Sequence, residues 1–161
     1  MIREMISEDS SRVLEIYKMG IDTHNATFET NVPSWADWDS NHLLHSRFVY
    51  TDNEKVLGWV ALSPVSSRSA YKGVAEISVY IDTQKHGKGI GSMLMEKAIT
   101  SSEEHGIWTL FSSVFPENKA TLRLHEKFDF RIIGTREKIA QINGKWRDTI
   151  QLERRSTRVG V

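Results

Sequence analysis

One stretch of the chain combines glycines and lysines at short spacing, a pattern typical of a site that binds phosphate. The residues are Gly87, Gly89 and Gly91, with Lys85 and Lys88 among them. Residues 74–81 before them are rich in β-forming side chains, and from Ile90 onward apolar side chains recur at helical spacing. A helix that begins on glycines leaves its first N–H groups and the positive end of its dipole open to an anion. The stretch therefore predicts a pyrophosphate site where a strand turns into a helix.

The spacing of the glycines narrows the choice of phosphate ligand. A dinucleotide-binding turn needs G-x-G-x-x-G, and Ser92 stands where its third glycine would be. A Walker A loop needs a glycine followed by Lys and then Ser or Thr, which does not occur here at the required spacing. Residues 84–91 read Q-x-x-G-x-G-x-G, which resembles the coenzyme A loop of the GNAT N-acetyltransferase superfamily. By itself, a motif this short also fits a glycine-rich turn without a ligand.

The resemblance implies that acetyl-CoA binds as co-substrate along the strand and the turn. The strand backbone is expected to bind the pantetheine amides and to polarise the thioester carbonyl at Val79, Tyr80 and Ile81. An oxyanion contact of this kind can lower a reaction barrier by about 3 kcal/mol. The pyrophosphate is expected on the turn and the first helical residues, which are Gly87, Lys88, Gly89, Ile90, Gly91 and Ser92.

A second match to the superfamily lies further along the chain. Residues 118–130, NKATLRLHEKFDF, are similar to the segment N-x-x-[SA]-x-x-L-[YH]-E-K-x-G-F, with departures at Thr121, where serine or alanine is usual, and at Asp129, where glycine is usual. The match implies that Asn118 and Lys127 contact the cofactor. It also implies that His125, where many members have tyrosine, protonates the leaving thiolate. From the residues alone, these three side chains fit a helix N-cap, a surface imidazole and a solvated lysine equally well.

Four further segments resemble the phosphinothricin N-acetyltransferase subfamily, in the same order along the chain. They are residues 27–30 (TFET), 68–71 (RSAY), 76–80 (EISVY) and 144–148 (GKWRD). Members of the subfamily acetylate the α-amino group of phosphinothricin, methionine sulfone or methionine sulfoximine, related members act on other amino acids, and they typically are dimers. The resemblance therefore implies a small amino-acid substrate and a homodimer.

The side chains in these segments suit such a substrate. Arg68 offers a planar fork for a carboxylate, Ser69 and Tyr71 on either side of Ala70 offer hydroxyl groups, and Phe28 offers an apolar wall. Arg68 is also compatible with a surface loop that binds nothing.

The acetyl transfer requires a neutral amine, because an ammonium group has no lone pair to attack the thioester. Glu76 is the candidate general base, since it shares a strand face with Ser78 and Tyr80 and can face the same cleft as the thioester. A cleft that partly desolvates the carboxylate raises its pKa towards a useful value. Glu76 also fits a structural carboxylate paired with Arg68 or Lys72. Glu29 is the alternative base, or an anchor for the ammonium group.

The elements that position these residues predict one domain over residues 1–155, followed by a basic tail over residues 156–161. The order β-α-α-β-β-β-α-β-α-β-β predicts a mixed sheet with helices on both faces. The resemblance specifies this α/β (α+β) class as a GNAT-like, mostly antiparallel sheet. We expect the second helix over residues 35–45. A final hairpin of residues 130–138 and 142–153 is expected to turn at Asn143-Gly144.

Composition excludes several classes of function. Lys plus Arg and Asp plus Glu number 21 each, so no charge excess points to nucleic acid or an anionic membrane. The absence of cysteine excludes disulfides and a cysteine nucleophile, and the six histidines show no ligand spacing, so we expect no metal. Without a signal peptide or a long apolar run, the protein is predicted to be cytoplasmic. A basic cluster at Arg154, Arg155 and Arg158 is expected to be solvated.

Three functions are compatible with these features. The first is acetylation of a small amino acid. The second is acetylation of protein N-termini or lysines, which needs an open groove, although no acidic patch is present to steer basic peptides. The third is a non-catalytic acetyl-CoA-binding module, against which the joint presence of Arg68, Tyr71 and Glu76 argues. A homodimer is further predicted from aromatic side chains expected to be exposed, at Phe28, Trp35, Trp38 and Tyr71.

Overall fold

In the computed structural model, which describes residues 1–161, seven strands form one sheet in the order β1-β2-β3-β4-β5-β7-β6. The strands are β1 (Ile2–Glu4), β2 (Phe48–Asp52), β3 (Lys55–Pro64), β4 (Val74–Ile81), β5 (Thr109–Val114), β6 (Arg131–Ile142) and β7 (Lys145–Arg155). The helices are α1 (Ser10–Asp22), α2 (Trp35–Ser40), α3 (Ile90–Glu104) and α4 (Lys119–Lys127). None of these helices has the length and apolar character needed to cross a membrane. The predicted mixed, mostly antiparallel sheet is confirmed.

Strands β4 and β5 are the only parallel neighbours, and they separate soon after they meet. They pair over three positions, Val74–Glu76 against Thr109–Phe111, whereas β4 stays paired with β3 as far as Ile81. The second half of β4 therefore has a neighbouring strand on one side only. This open edge lies next to the glycine-rich turn that follows β4.

Hydrogen-bond alternation decides which backbone groups face the open edge. The Asp82 N–H donates to the carbonyl of Leu57 on β3 at 2.8 Å. Because the bonded pairs of an antiparallel ladder alternate, the backbone of Tyr80 also bonds to β3, and that of Val79 and Ile81 points away from it. Two of the three strand residues expected to bind the cofactor thus direct their backbone groups to the open edge, where the carbonyl of Ile81 accepts from Nε2 of His86 at 3.3 Å, and Tyr80 presents its side chain on the opposite face from theirs.

The sheet is covered on both faces, as predicted. On one face, Val60 and Leu62 of β3 join Leu94 of α3 in the larger apolar core. On the other face, Trp59 of β3 packs with Val13 of α1 in a second core. Side chains that point to this second face of β4 therefore lie below α1.

A glycine allows α1 to approach that face closely. A Cβ atom at Gly20 would lie 2.5 Å from Cε1 of Tyr80, so a larger residue would force the helix and the strand apart. The ring of Tyr80 packs into the space that Gly20 leaves.

Helix α2 is shorter than predicted, since it ends at Ser40 instead of continuing to residue 45. The guanidinium of Arg47 donates to the carbonyls of Asp39 and His42, each at 2.9 Å, and to that of Leu43. These carbonyls point towards one cation instead of along a common helix axis, although that of Asp39 still accepts from the N–H of His42 at 3.3 Å.

The C-terminal hairpin is longer than predicted, and its turn is confirmed at Asn143-Gly144, where both residues have positive φ angles of 52° and 76°. Strand β6 continues past residue 138 because the pairing with β7 shifts register between Ile132 and Gly134 and again between Arg136 and Ala140. These bulges take up extra residues without ending the strand.

The prediction of a solvated basic cluster at the C-terminus is only partly correct, since Arg155 and Arg158 are exposed but the cluster also forms contacts within the chain. Glu103 of α3 accepts from Arg154 at 3.2 Å and from the hydroxyl of Ser156 at 2.8 Å, and Arg158 lies 3.6 Å from its second oxygen. The Arg155 guanidinium donates to backbone carbonyls of the last residues. The cluster therefore ties the end of the chain to α3 and β7.

Candidate active site

The open edge of β4 borders a cavity of about 730 Å³, within the range of small-ligand sites. Its walls come from the segment after α1, from β4 and β5, and from α4. The cavity brings together eight of the predicted site residues, namely Phe28, Glu29, Glu76, Val79, Tyr80, Ile81, Asn118 and His125.

The glycine-rich turn forms a second, smaller cavity of about 500 Å³, lined among others by Lys88, Gly89, Ser92 and Lys127. Gly89 has a φ angle of 76°, and the first helical hydrogen bond of α3 runs from Met93 to its carbonyl. The N–H groups of residues 90–92 therefore have no acceptor within the helix. Lys127 reaches across from α4 and donates to the hydroxyl of Ser92 at 3.1 Å. Free N–H groups between two lysines can hold an anion.

An ion pair that the sequence did not indicate fixes this turn to the rest of the fold. Asp82 is buried at the end of β4, where it accepts from the Gln84 N–H at 2.9 Å and from the guanidinium of Arg12 on α1. Burial alone would raise the Asp82 pKa, but the bonds from Gln84 and Arg12 outweigh it and hold the pKa below its ordinary value.

Glu76 lies in the wall of the larger cavity on the same strand face as Tyr80, as the alternation predicted. Its carboxylate forms no ion pair with Arg68 or Lys72, and burial is the cause that raises its pKa. A carboxylate in this state accepts a proton more readily than an exposed one. The arrangement suits a general base.

His125 is buried, so the alternative of a surface imidazole is wrong. Its Nδ1–H donates to the carbonyl of Thr121 at 2.7 Å, which leaves Nε2 as an acceptor in the neutral ring. Nε2 is buried without a hydrogen-bond partner. Burial lowers the His125 pKa, against the smaller opposing effect of the Thr121 bond. The ring therefore lines the cavity with its acceptor nitrogen buried, and it can act as an acid only after Nε2 takes up a proton.

Asn118 has two structural contacts. Its Oδ1 accepts from the N–H of Thr121 at 3.3 Å, which caps α4, and its Nδ2 donates to the carbonyl of Asn25 at 3.2 Å. The N-cap alternative is therefore confirmed. The residue also joins α4 to the segment that follows α1.

The segment RSAY lies outside both cavities. Arg68, Ser69, Ala70 and Tyr71 are all exposed on the connection between β3 and β4, and the guanidinium of Arg68 lies 5.5 Å from the centre of the Tyr71 ring. Residues between two strands that the sheet does not hold take up positions in solvent. In this conformation, the structure does not bring the four predicted substrate-binding residues to the cavity.

Sequence reasoning missed an aromatic wall on the α1 side of the larger cavity. Tyr80 stacks on Trp59 with ring centres 4.9 Å apart, and Tyr17 meets Tyr80 edge to face at 5.0 Å. Trp38 and His42 continue the wall. Burial raises the pKa of Tyr17 and of Tyr80, so both keep their phenolic protons. The spacing of these residues along the helix and the strands indicated that they lie in the core. Nothing in the local sequence indicated that they line a cavity.

The aromatic residues used to predict a dimer are mostly covered within the chain. Trp38 is 2% exposed, Phe28 and Trp35 are half-buried, and only Tyr71 is exposed. That basis for the prediction is wrong. The large exposed apolar side chains of the sheet lie instead on the C-terminal hairpin, at Ile132, Ile133, Ile139 and Trp146.

The sequence and the fold are similar to those of known acetyltransferases. A sequence profile described as the acetyltransferase (GNAT) family matches residues 10–130. YwnH of Bacillus subtilis, whose name gives phosphinothricin acetylation as a provisional activity, is 34% identical over 143 residues, which cover 85% of this chain and 87% of that protein. The L-methionine sulfoximine/L-methionine sulfone acetyltransferase of Salmonella typhimurium is 25% identical over 155 residues, covering 91% and 89%.

A solved structure gives the same picture of the fold. The phosphinothricin acetyltransferase of Sinorhizobium meliloti in complex with acetyl-CoA matches with a TM-score of 0.90 at 23% identity, covering 99% of this chain and 90% of that one.

Proposed function

The chain belongs to the acetyltransferase (GNAT) family, and we propose that it transfers the acetyl group of acetyl-CoA to the α-amino group of a small amino acid or amino-acid analogue. The proposal rests on strand β4, which connects the glycine-rich turn with the larger cavity. The open edge of β4 leads from the anion-binding turn, and the same strand presents the unpaired carboxylate of Glu76 to a cavity of about 730 Å³.

The cofactor follows that edge in the proposed complex. Its pyrophosphate lies on the N–H groups of residues 90–92, near Lys88 and Lys127. Its pantetheine amides pair with the backbone groups that Val79 and Ile81 direct to the open edge, where the cofactor replaces His86 as the partner of the Ile81 carbonyl, and a backbone N–H polarises the thioester carbonyl. Ligand amides that replace a missing strand in this way satisfy groups that β5 leaves unpaired.

The chemical step is a direct attack. Glu76 takes a proton from the ammonium group through a water molecule, and the neutral nitrogen bonds to the thioester carbon. The C–S bond breaks as the carbonyl re-forms, and the nitrogen loses its second proton to water, so the acetyl amide and the coenzyme A thiolate leave. No covalent enzyme intermediate is needed. We retain His125 as the proposed proton donor to the thiolate, on the condition that Nε2 is protonated when the thiolate leaves.

The charges around the larger cavity indicate which substrates suit it. Its titratable carboxylates are Glu29 and Glu76, and no lysine or arginine lines it. These carboxylates attract an ammonium group and repel an added anion. Arg68, at the exposed connection, provides one cation for the α-carboxylate once that connection approaches the cavity. A second anionic group on the substrate would have no partner.

The test is an assay of thiol release from acetyl-CoA with a panel of amino acids and their analogues. We expect methionine sulfone and methionine sulfoximine to give values of kcat/KM at least tenfold above that of phosphinothricin, because the unpaired phosphinate would cost about 1.4 kcal/mol or more. Peptides with free N-termini or lysines serve as the comparison. Faster acetylation of the peptides, or binding of acetyl-CoA without any transfer, would contradict the proposed function.

We also retain the homodimer and the cytoplasmic location as proposals. The exposed apolar side chains of the C-terminal hairpin support the homodimer, since a partner usually covers such a surface.

A further inference from the structure

The larger cavity is closed on one side by residues 24–29, which we call the strap. The strap follows α1 and has no helix or strand of its own. Asn25 to Glu29 all line the cavity. A segment without backbone pairing has to be held in place by side chains, and its position sets the shape of the cavity.

One side chain from the far end of the chain holds the strap. Arg147 on β7 donates to the carbonyl of His24 at 2.8 Å and to Oδ1 of Asn25 at 3.1 Å. The same guanidinium donates to Oε2 of Glu117 at 3.1 Å and lies 4.2 Å from the centre of the Phe115 ring. The Arg147 side chain is only 13% exposed. It therefore fills a site built from two separate segments, the strap and residues 115–117.

The same ring and the next helix continue the contact. Phe28 of the strap meets Phe115 edge to face, with ring centres 4.9 Å apart. Asn118, which caps α4, donates to the carbonyl of Asn25. The guanidinium is thus the centre of a cluster that fixes both ends of the strap against β5, β7 and the start of α4.

From these contacts we infer that Arg147 is a positioning residue for the amino substrate. It touches neither cavity, and it acts through the strap by holding Phe28 and Glu29 at the distance from Glu76 that the substrate needs. This role rests on the proposed function, since it takes the larger cavity to be the amino-acid site. It also gives a role to the segment GKWRD, which matched the subfamily and had no assigned part in the chemistry.

The first experiment replaces Arg147 by lysine. Lysine keeps the charge but cannot donate along three directions in one plane, so it loses at least the His24 or the Asn25 contact. We expect KM for the amino acid to rise by about tenfold, with a smaller fall in kcat and with KM for acetyl-CoA within twofold of the original value. A purely structural role for Arg147 would lower the melting temperature and leave the ratio of the two KM values unchanged, which would overturn the inference.

The matched control is Glu117→Gln, which removes the exposed ion pair and keeps the two contacts to the strap. It should leave KM for the amino acid within twofold of the original value. A rise as large as that of Arg147→Lys would assign the effect to the ion pair, and would overturn the role of the strap.

Hydrogen exchange separates this inference from the proposed function. In the absence of any ligand, the amides of residues 24–29 should exchange faster in Arg147→Lys than in the original protein, and those of α3 should not. Equal exchange in the strap would overturn the inference whatever the substrate is. If no amino acid is acetylated, the proposed function fails, and faster exchange confined to the strap still identifies Arg147 as the residue that holds it.

Discussion

The cofactor side and the amino-acid side of the candidate site are built in different ways. The cofactor side is continuous in sequence, since residues 79–92 supply the strand edge, the turn and the first turn of α3. The groups proposed to bind the cofactor there are mainly backbone N–H groups, and a single buried ion pair between Arg12 and Asp82 fixes this side to α1. The amino-acid side is assembled from side chains on α1, the strap, β4, β5 and α4.

The difference determines what a substitution can do to each side. A backbone site is sensitive to changes that alter φ angles or block the approach of a ligand, and is largely insensitive to the identity of polar side chains. A side-chain site depends on groups held by contacts between residues more than 120 positions apart, such as Arg147 with His24. The following predictions use substitutions that affect one side and spare the other.

The largest effect should come from Glu76→Gln on the amino-acid side. The amide keeps the size of the side chain but cannot take a proton, so kcat should fall by about 10²-fold or more at neutral pH. Burial raises the Glu76 pKa, so the original enzyme should lose activity as the pH falls through that raised pKa. The loss caused by Glu76→Gln should shrink at high pH, where the free amine is abundant.

Steady-state kinetics between about pH 6.5 and 9.5 measures this difference. Glu29→Gln is the matched control, because it neutralises the other carboxylate of the cavity. A normal kcat in Glu76→Gln together with a low kcat in Glu29→Gln would transfer the role of base to Glu29.

A smaller effect is expected from Gly89→Val on the cofactor side. Gly89 has a φ angle of 76°, and no atom lies within 4 Å of the place where a Cβ would stand. Valine therefore meets no protein atom, but it strains the backbone and occupies the space proposed for phosphate. KM for acetyl-CoA should rise at least tenfold, which corresponds to about 1.4 kcal/mol.

Gly106→Val is the control for backbone strain. Gly106, after the end of α3, has a φ angle of 79° and equally open surroundings, so it pays the same conformational cost away from the turn. Both variants should melt at similar temperatures. If Gly106→Val raised KM for acetyl-CoA as much as Gly89→Val does, the effect would reflect lost stability and not a blocked phosphate site.

The smallest effect is expected from Arg68→Ala. Because Arg68 is exposed and stacks on Tyr71, its contact with a substrate carboxylate would be solvent-screened and worth about 1 kcal/mol. KM for the amino acid should rise by about fivefold with little change in kcat. An unchanged KM would mean that the exposed connection does not take part in binding. A fall in kcat of the size expected for Glu76→Gln would mean that it closes fully over the cavity.

Much of the fold followed from local patterns. The glycine turn, the Asn143-Gly144 hairpin and helix α4 are set by residues next to one another in sequence, and the structure agrees with them. The end of helix α2 was predicted incorrectly because it depends on Arg47, whose guanidinium donates to the carbonyls of Asp39 and His42. The contacts of the C-terminal residues were not predicted because their partner, Glu103, is some 50 positions away in sequence.

The candidate site shows the same difference between features set by neighbouring residues and features set by distant ones. Apart from Asn118 and Lys127, the residues proposed for the cofactor lie close together in sequence, so a motif of a few letters located most of them. The aromatic wall of Tyr17, Trp59 and Tyr80 comes from α1, β3 and β4, and no spacing within one element reveals that these rings meet. Arg147 lies in a segment that matched the subfamily, yet its target, the strap, became evident only from the tertiary contacts.

The aromatic wall also gives the molecule an optical signal of its own. Of the five tryptophans in the chain, Trp35 and Trp38 stack and Trp59 meets Trp38 edge to face, and Trp38 and Trp59 line the cavity. Their near-ultraviolet circular dichroism should be strong because the indole transitions couple at such short separations. A substrate that displaces water from the cavity changes the polarity around Trp38 and Trp59, so its binding should shift their fluorescence emission. Occupancy of the amino-acid side can therefore be followed without a label and without turnover.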